Sequence, residues 1–212
     1  MSKVNFSKVK NSDPVSYLSS QDPLLARVIA KVPRPVWERR NAYFRELVES
    51  IISQQLSEKA ADTISKRFSA LFSTKSFPDP NAILTIHPEK IRAAGISYAK
   101  ISYIKDLAER VETKSLVLER LVKLPDVEVI NELTKVKGIG RWTAEMFLIF
   151  GLGREDVFSY GDLGLRNAIQ KLYRLRKPLT LQRAERISLR WKPYRSWACR
   201  YLWESLTLKE SG

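Results

Sequence analysis

VKGIGRWTAEMF, residues Val136 to Phe147, places two of the chain's eight glycines, Gly138 and Gly140, two positions apart. A helical pattern, PDVEVINELTKV from Pro125, runs into them, and a second one, RWTAEMFLIF, leaves directly after them. The chain has to turn sharply here. Glycine accepts positive φ and leaves no Cβ at the bend. Backbone N–H groups at such a bend adjoin the start of the second helix, where they can donate to a phosphate and where the helix dipole favours the same anion. Lys135, Lys137 and Arg141 add positive charge around it. A bare G-x-G is equally compatible with a plain helix–helix turn, so this segment alone leaves both readings open.

Outward from the turn, the rest of the chain also reads as helix. Residues 1–14 are polar and basic and are expected to form a loose arm. Asp22-Pro23 opens a short helix, and residues 36–54 carry Trp37, Tyr43, Leu47, Val48 and Ile51 at helical spacing. Ser57 is placed to cap the next helix, residues 73–82 read as a turn-rich connector, and His87-Pro88 starts a helix that Gly95 stops. Helices are further expected over SYAKISYIKDLAERV, from Asp162 to Leu175, from Leu181 to Arg190 and from Pro193 to Leu206, with GLGREDVFSYG as a loop. No strand pattern competes. The expected fold is all-α, a helical bundle of two lobes over residues 15–212, whose boundary the sequence does not mark.

Composition narrows the function. Apolar residues make up 44% and mean hydropathy is −0.27. No apolar run approaches the roughly 18–20 residues that cross a bilayer, so no membrane partner is expected. The first residues hold no apolar core of a secretory signal. The single cysteine, Cys199, excludes an internal disulfide and any cysteine-built metal or iron–sulfur site; it reads as buried structure, and His87 as a helix cap. A reducing compartment fits: the nucleus in a eukaryote, otherwise the cytoplasm. Thirty-seven Lys and Arg against 23 Asp and Glu give a formal charge of +14, and a field of that sign attracts polyanions, nucleic acid foremost.

The wider segment LTKVKGIGRWTAEMFLIFGLGREDVFSYGDLGLRN, 133–167, resembles the helix-hairpin-helix (HhH-GPD) DNA glycosylases, and among them the 3-methyladenine DNA glycosylase II type. Three further stretches carry the likeness. ESIISQQLSEKAADTISKRF, 49–68, is similar to the family's intercalating-loop region. AAGISYAKISYIKDLAERV, 93–111, is similar to the segment before the hairpin, and RWKPYRSWACRYLWESL, 190–206, to its C-terminal helix. The resemblance implies double-stranded DNA holding damaged or abasic nucleotides as partner, a helix-hairpin-helix motif within the two-lobed bundle, and action as a monomer.

It also implies roles. Lys137, Gly138, Ile139, Gly140, Arg141 and Thr143 stand at the DNA-binding hairpin. Gln54, Gln55 and Leu56 stand where the family wedges open the gap left by an everted nucleotide, with Gln55 foremost. Asp162, 22 residues past Gly140, aligns with the catalytic aspartate; a carboxylate near C1′ would stabilise the positive charge that builds on the sugar as the glycosidic bond breaks, and would orient a water. Asp is also a favoured N-cap, and both roles can hold. Trp142 stands where lyase-competent relatives carry an amine nucleophile. An indole cannot form a Schiff base, so hydrolysis without strand cutting is implied. Trp142, Trp203 and Tyr160 are expected around the base and sugar. Carbonyls of Thr134, Val136 and Ile139 match positions that hold a monovalent cation, Na+ or K+, in DNA-bound relatives; no other cofactor is expected.

One stretch departs from the family. In FSYGD, Ser159 and Gly161 stand where a proline and an acidic residue are usual. A flexible residue beside Asp162 is expected to loosen its carboxylate, and Tyr160 to fill part of the pocket. Two functions follow: a monofunctional glycosylase of alkylated purines, or a homologue that binds damaged or abasic sites and sculpts DNA without excising a base.

Overall fold

Helix starts in this chain are marked by side chains that accept a hydrogen bond from a backbone N–H two or three residues further on. Asp13, Asp22, Ser57, Asp79, His87, Ser97, Asp162 and Thr180 all do so. Pro14, Pro23, Pro80 and Pro88 occupy the first helical position, where the missing N–H costs nothing. The computed structural model describes residues 12–37, 40–72 and 76–207. In chain order its helices are α1 (Pro14–Gln21), α2 (Pro23–Ile29), α3 (Tyr43–Ser53), α4 (Glu58–Ser69), α5 (Pro80–Thr85), α6 (Pro88–Ala93) and α7 (Tyr98–Glu112). There follow α8 (Leu118–Leu121), α9 (Asp126–Leu133), α10 (Arg141–Met146), α11 (Leu163–Leu172), α12 (Leu181–Ser188) and α13 (Arg195–Ser205). No strand occurs among the described residues, and the fold is all-α.

The chain divides into two units: residues 1–38 together with 153–212, and the inserted residues 39–152. In the first, α1, α2 and α11–α13 bury Leu18, Leu25, Leu165, Ile169, Trp191, Tyr201 and Leu202 together. Asp22 ties its two chain segments. The carboxylate is fully buried; Oδ1 accepts the N–H groups of Leu24 (3.1 Å) and Leu25 (3.2 Å). Oδ2 accepts from Trp191 Nε1 at 2.9 Å and from the Tyr173 hydroxyl. Burial, and then the Asp22 carboxylate, push the Tyr173 phenol far above its usual pKa. In the second unit, α3–α10 close over Leu47, Ile51, Phe68, Ile104, Leu107 and Leu133, all fully buried.

Several boundaries differ from the sequence reading. Residues 1–11 of the expected arm lie outside the described residues, but 13–14 already start α1: Asp13 caps it, and the Tyr194 hydroxyl donates to the Ser12 carbonyl. The segment 36–54 is helical only from Tyr43. Trp37 stacks instead on Trp197 (4.3 Å between rings, 15° between planes), with Arg34 over one indole and Arg200 over the other. Within the connector, residues 73–75 lie outside the described residues, and Asp79-Pro80 starts α5. The helix after the hairpin widens into a π turn, Phe147–Gly151; the Phe147 ring lies so close to Gly151 that a Cβ there would come within 2.8 Å of it. Gly95, at φ +102, ends α6 and His87 caps it, as expected, and Cys199 is fully buried. No helix among the described residues is long and apolar enough to cross a membrane.

Candidate functional site

The hairpin between α9 and α10 gives its two glycines different reasons to exist. Gly138 has φ +76, and the Tyr103 ring lies against it: a Cβ would fall 2.1 Å from Tyr103 Cδ2. The fold therefore requires glycine at 138. Gly140 has φ −90 and ψ 174, which any residue adopts, and beyond its two chain neighbours no atom of the described residues lies within 4 Å of where its Cβ would be. Nothing in the fold requires glycine at 140. It is the N-cap of α10 and offers no side-chain acceptor to the N–H groups of the first turn.

Around this corner Lys137, Gly138, Gly140 and Arg141 are exposed. Ile139 and Thr143 are buried, each only 4% exposed, so their side chains belong to the core, and only their backbone can serve a ligand. Arg141 Nε donates to Glu145 Oε1 at 2.8 Å while most of its side chain stays in solvent. The backbone N–H of Lys137 donates to Asp106 Oδ2 (3.0 Å), which also receives Arg110 Nε (2.9 Å). Burial alone would raise the Asp106 pKa, but the bonds from Lys137 and Arg110 outweigh it and hold the carboxyl below its usual value. The ionised form thus steadies the hairpin fully above the unfolded-state pKa of about 3.9, and this contribution is lost as pH falls through the lower folded value. Asp106→Ala should cost about 1.5–3 kcal/mol at neutral pH. Equilibrium unfolding should show variant and wild type converging below about pH 4; a gap that persists in acid would contradict the pinning role.

The expected wedge lies in the same unit, where α3 ends. Lys100 Nζ donates to the carbonyls of Ile52 (2.8 Å) and Gln54 (2.5 Å), closing the helix C-terminus with a cation. Burial draws the lysine's pKa below its ordinary value. Gln54 Nε2 donates to the Gly138 carbonyl at 2.9 Å. Gln54 is therefore a half-buried strut from this turn to the hairpin. Gln55, exposed at φ +58, and Leu56, 39% exposed, form the projecting tip. Lys100, Tyr103 and Asp106, all missed by the sequence reading, make one stripe of α7 that holds both the tip and the hairpin. Their three-residue spacing was visible; what the stripe faced was not.

Asp162, Trp203 and Tyr160 belong to the other unit. Asp162 caps α11: its Oδ1 accepts the Leu165 N–H (2.6 Å) and Trp203 Nε1–H (2.8 Å), and its own N–H donates to the Ser159 carbonyl (3.2 Å). Gly164 backs the same oxygen, since a Cβ there would come within 3.2 Å of it. The expectation of a loosened carboxylate is corrected: Gly161 takes no glycine-only conformation, and Ser159 is fully buried. Trp203 is half-buried and orients the acid rather than only walling a pocket. Tyr160 packs on the core, donates to the Leu179 carbonyl (3.1 Å) and lies under Arg166, contacts that fix the loop. Trp142, in the inserted unit, is 44% exposed. No group of three His, Cys, Asp or Glu able to hold a metal ion occurs among the described residues.

Comparison with known proteins gives three likenesses. The family described as HhH-GPD superfamily base excision DNA repair protein matches residues 48–193. DNA-3-methyladenine glycosylase 1 of Schizosaccharomyces pombe is 37% identical over 199 residues, 92% of this chain and 87% of that protein. Alkylbase DNA glycosidase-like protein mag2 of the same yeast is 30% identical over 204 residues, 92% of this chain and 94% of that protein. The solved structure of S. pombe 3-methyladenine DNA glycosylase in complex with abasic DNA superposes with a TM-score of 0.84 at 36% identity, covering 93% of this chain and 98% of that one. Hairpin, capped aspartate and these likenesses agree: the chain belongs to the HhH-GPD superfamily of base excision DNA repair proteins.

Proposed function

We propose that the protein recognises damaged DNA by everting a nucleotide and hydrolyses the N-glycosidic bond of alkylated purines, leaving the strand uncut. Five features support the parts of this reading. The α10 corner offers backbone N–H groups and the charges of Lys137 and Arg141 to a phosphate. Gln55 and Leu56 project to occupy the gap in the stack. An exposed indole at Trp142 suits a cationic alkylpurine, worth about 0.5–2 kcal/mol. Asp162, held at Oδ1, faces C1′ with its carboxylate as the C1′–N bond breaks. The bonding electrons leave with the electron-poor base, positive charge builds on the sugar, and a water adds at C1′ and gives up its proton to the Asp162 carboxylate. The absence of an amine at 142 supports hydrolysis without lyase chemistry. The carbonyls of Thr134, Val136 and Ile139 are neutral oxygen donors and fit a hard monovalent cation such as Na+ or K+, which would supply charge between hairpin and phosphate.

The observation that carries DNA binding is the open space at Gly140, which packing does not explain. Gly140→Asp tests it cleanly, because aspartate is a good N-cap and the backbone there accepts it. Thermal stability should hold or rise by a few tenths of a kcal/mol. Affinity for a duplex with an abasic analogue should fall about 10- to 100-fold, the worth of charged hydrogen bonds lost to repulsion. Unchanged affinity at fixed salt would remove the corner from the interface. A second reading, capture of damaged sites without excision, is favoured by one observation: no acidic residue stands beside Asp162 at position 161.

A further inference from the structure

The positive charge is not concentrated where the hairpin is. The inserted unit, residues 39–152, holds 18 basic and 14 acidic residues, a net of +4, whereas the other unit holds 19 and 9, a net of +10. Much of that excess falls in one stretch. Between residues 171 and 190 stand Lys171, Arg174, Arg176, Lys177, Arg183, Arg186 and Arg190, with Glu185 as the only carboxylate. All seven cations are exposed. Arg190 sits over the Tyr173 ring and 4.0 Å from Asp22. Arg174, Arg176, Lys177, Arg183 and Arg186 have no carboxylate within ion-pair distance among the described residues.

The backbone beneath them is fixed. Arg174 reverses the chain at φ +49, Leu179 is buried with its carbonyl held by the Tyr160 hydroxyl, and Thr180 caps α12. On α12, Ala184, Ile187 and Ser188 face the core, and Arg183 and Arg186, three apart, share the outer face. A cluster of like charges on a rigid support is unfavourable by itself and is relieved by a polyanion. No exposed aromatic lies in the stretch for bases to stack on, so the surface suits phosphates and not sequence; guanidinium forks match phosphate oxygens in pairs.

Resting on the DNA-binding reading above, we infer that the 174–186 surface is a second DNA contact, which holds the phosphate backbone of undamaged duplex independently of the hairpin. The full-length protein tests it in two variants of equal charge change. One carries Arg174→Gln, Arg176→Gln, Lys177→Gln and Arg183→Gln. The other carries Lys90→Gln, Lys114→Gln, Arg120→Gln and Lys123→Gln, exposed cations of the inserted unit. Thermal melting checks folding; should the first variant fail to fold, the loop reversal Arg176→Glu with Lys177→Glu replaces it.

Binding to an undamaged duplex is then titrated against salt. The surface variant should lose about tenfold in affinity at moderate salt, with a log–log slope smaller by about 2–4, at roughly 0.9 per phosphate contact. The matched variant should change by less than about threefold and keep its slope. Equal losses in the two variants would show only the general field of a basic protein and overturn the inference, as would wild-type binding by the surface variant. Gly140→Asp separates the two ideas. It should retain the salt-dependent binding of undamaged duplex while losing the abasic one. If Gly140→Asp binds the abasic duplex like wild type, the hairpin reading fails and the surface result still stands.

Discussion

Asp162→Asn should reduce release of an alkylated purine from duplex DNA by about 10²- to 10⁴-fold in single-turnover rate and leave capture of an abasic-analogue duplex unchanged. The substitution keeps the shape of the side chain. An amide oxygen still accepts from Leu165 N and Trp203 Nε1, so the cap of α11 and the anchoring of the loop persist. What is lost is the negative charge opposite the developing positive charge on the sugar and the group that takes up the proton of the attacking water. Rate and affinity should therefore separate. If both fall together and melting falls with them, Asp162 is a structural cap and not a catalytic group. If release persists at near wild-type rate, another group carries the chemistry.

Asp22→Ala should cost about 3–5 kcal/mol of stability without touching the residues assigned to DNA. The carboxylate is wholly buried and meets donors from both chain segments of its unit: two backbone N–H groups at the start of α2, and the Trp191 indole and Tyr173 hydroxyl from residues after 153. Alanine leaves those donors buried without an acceptor and Arg190 without its nearest carboxylate. Denaturant unfolding followed by tryptophan fluorescence reads this directly, since Trp191 is one of the donors. A loss below about 1 kcal/mol would mean that water or a rearranged side chain replaces the carboxylate.

The elements easiest to read in the sequence were those whose signals are local. Ser57 and His87 were legible as caps, Asp22-Pro23 as a helix start and Gly95 as a stop, because each signal needs only its own next turn. The two glycines at the hairpin were legible as a turn. Their division of labour was not, because it depends on where the Tyr103 ring lies, 35 residues earlier in the chain. Trp37 fitted the helical spacing of α3 but is drawn off to stack on Trp197, a tertiary contact that no local pattern encodes. Similarly, Gly161 suggested a loose aspartate, whereas the anchoring comes from Trp203, 41 residues further on. Gln54 and Gln55 are adjacent and chemically identical, yet one braces the hairpin and the other, at positive φ, projects.

The most direct test of excision uses the wild-type protein and a methylated duplex, followed by chromatography of the released base and a denaturing gel of the strand. Free methylated purine, with the strand uncut until alkali is added, is the predicted result. Tight capture of an abasic-analogue duplex with no base released from the methylated one would contradict it, and would assign the hairpin, the tip and Asp162 to a protein that binds damage without removing it.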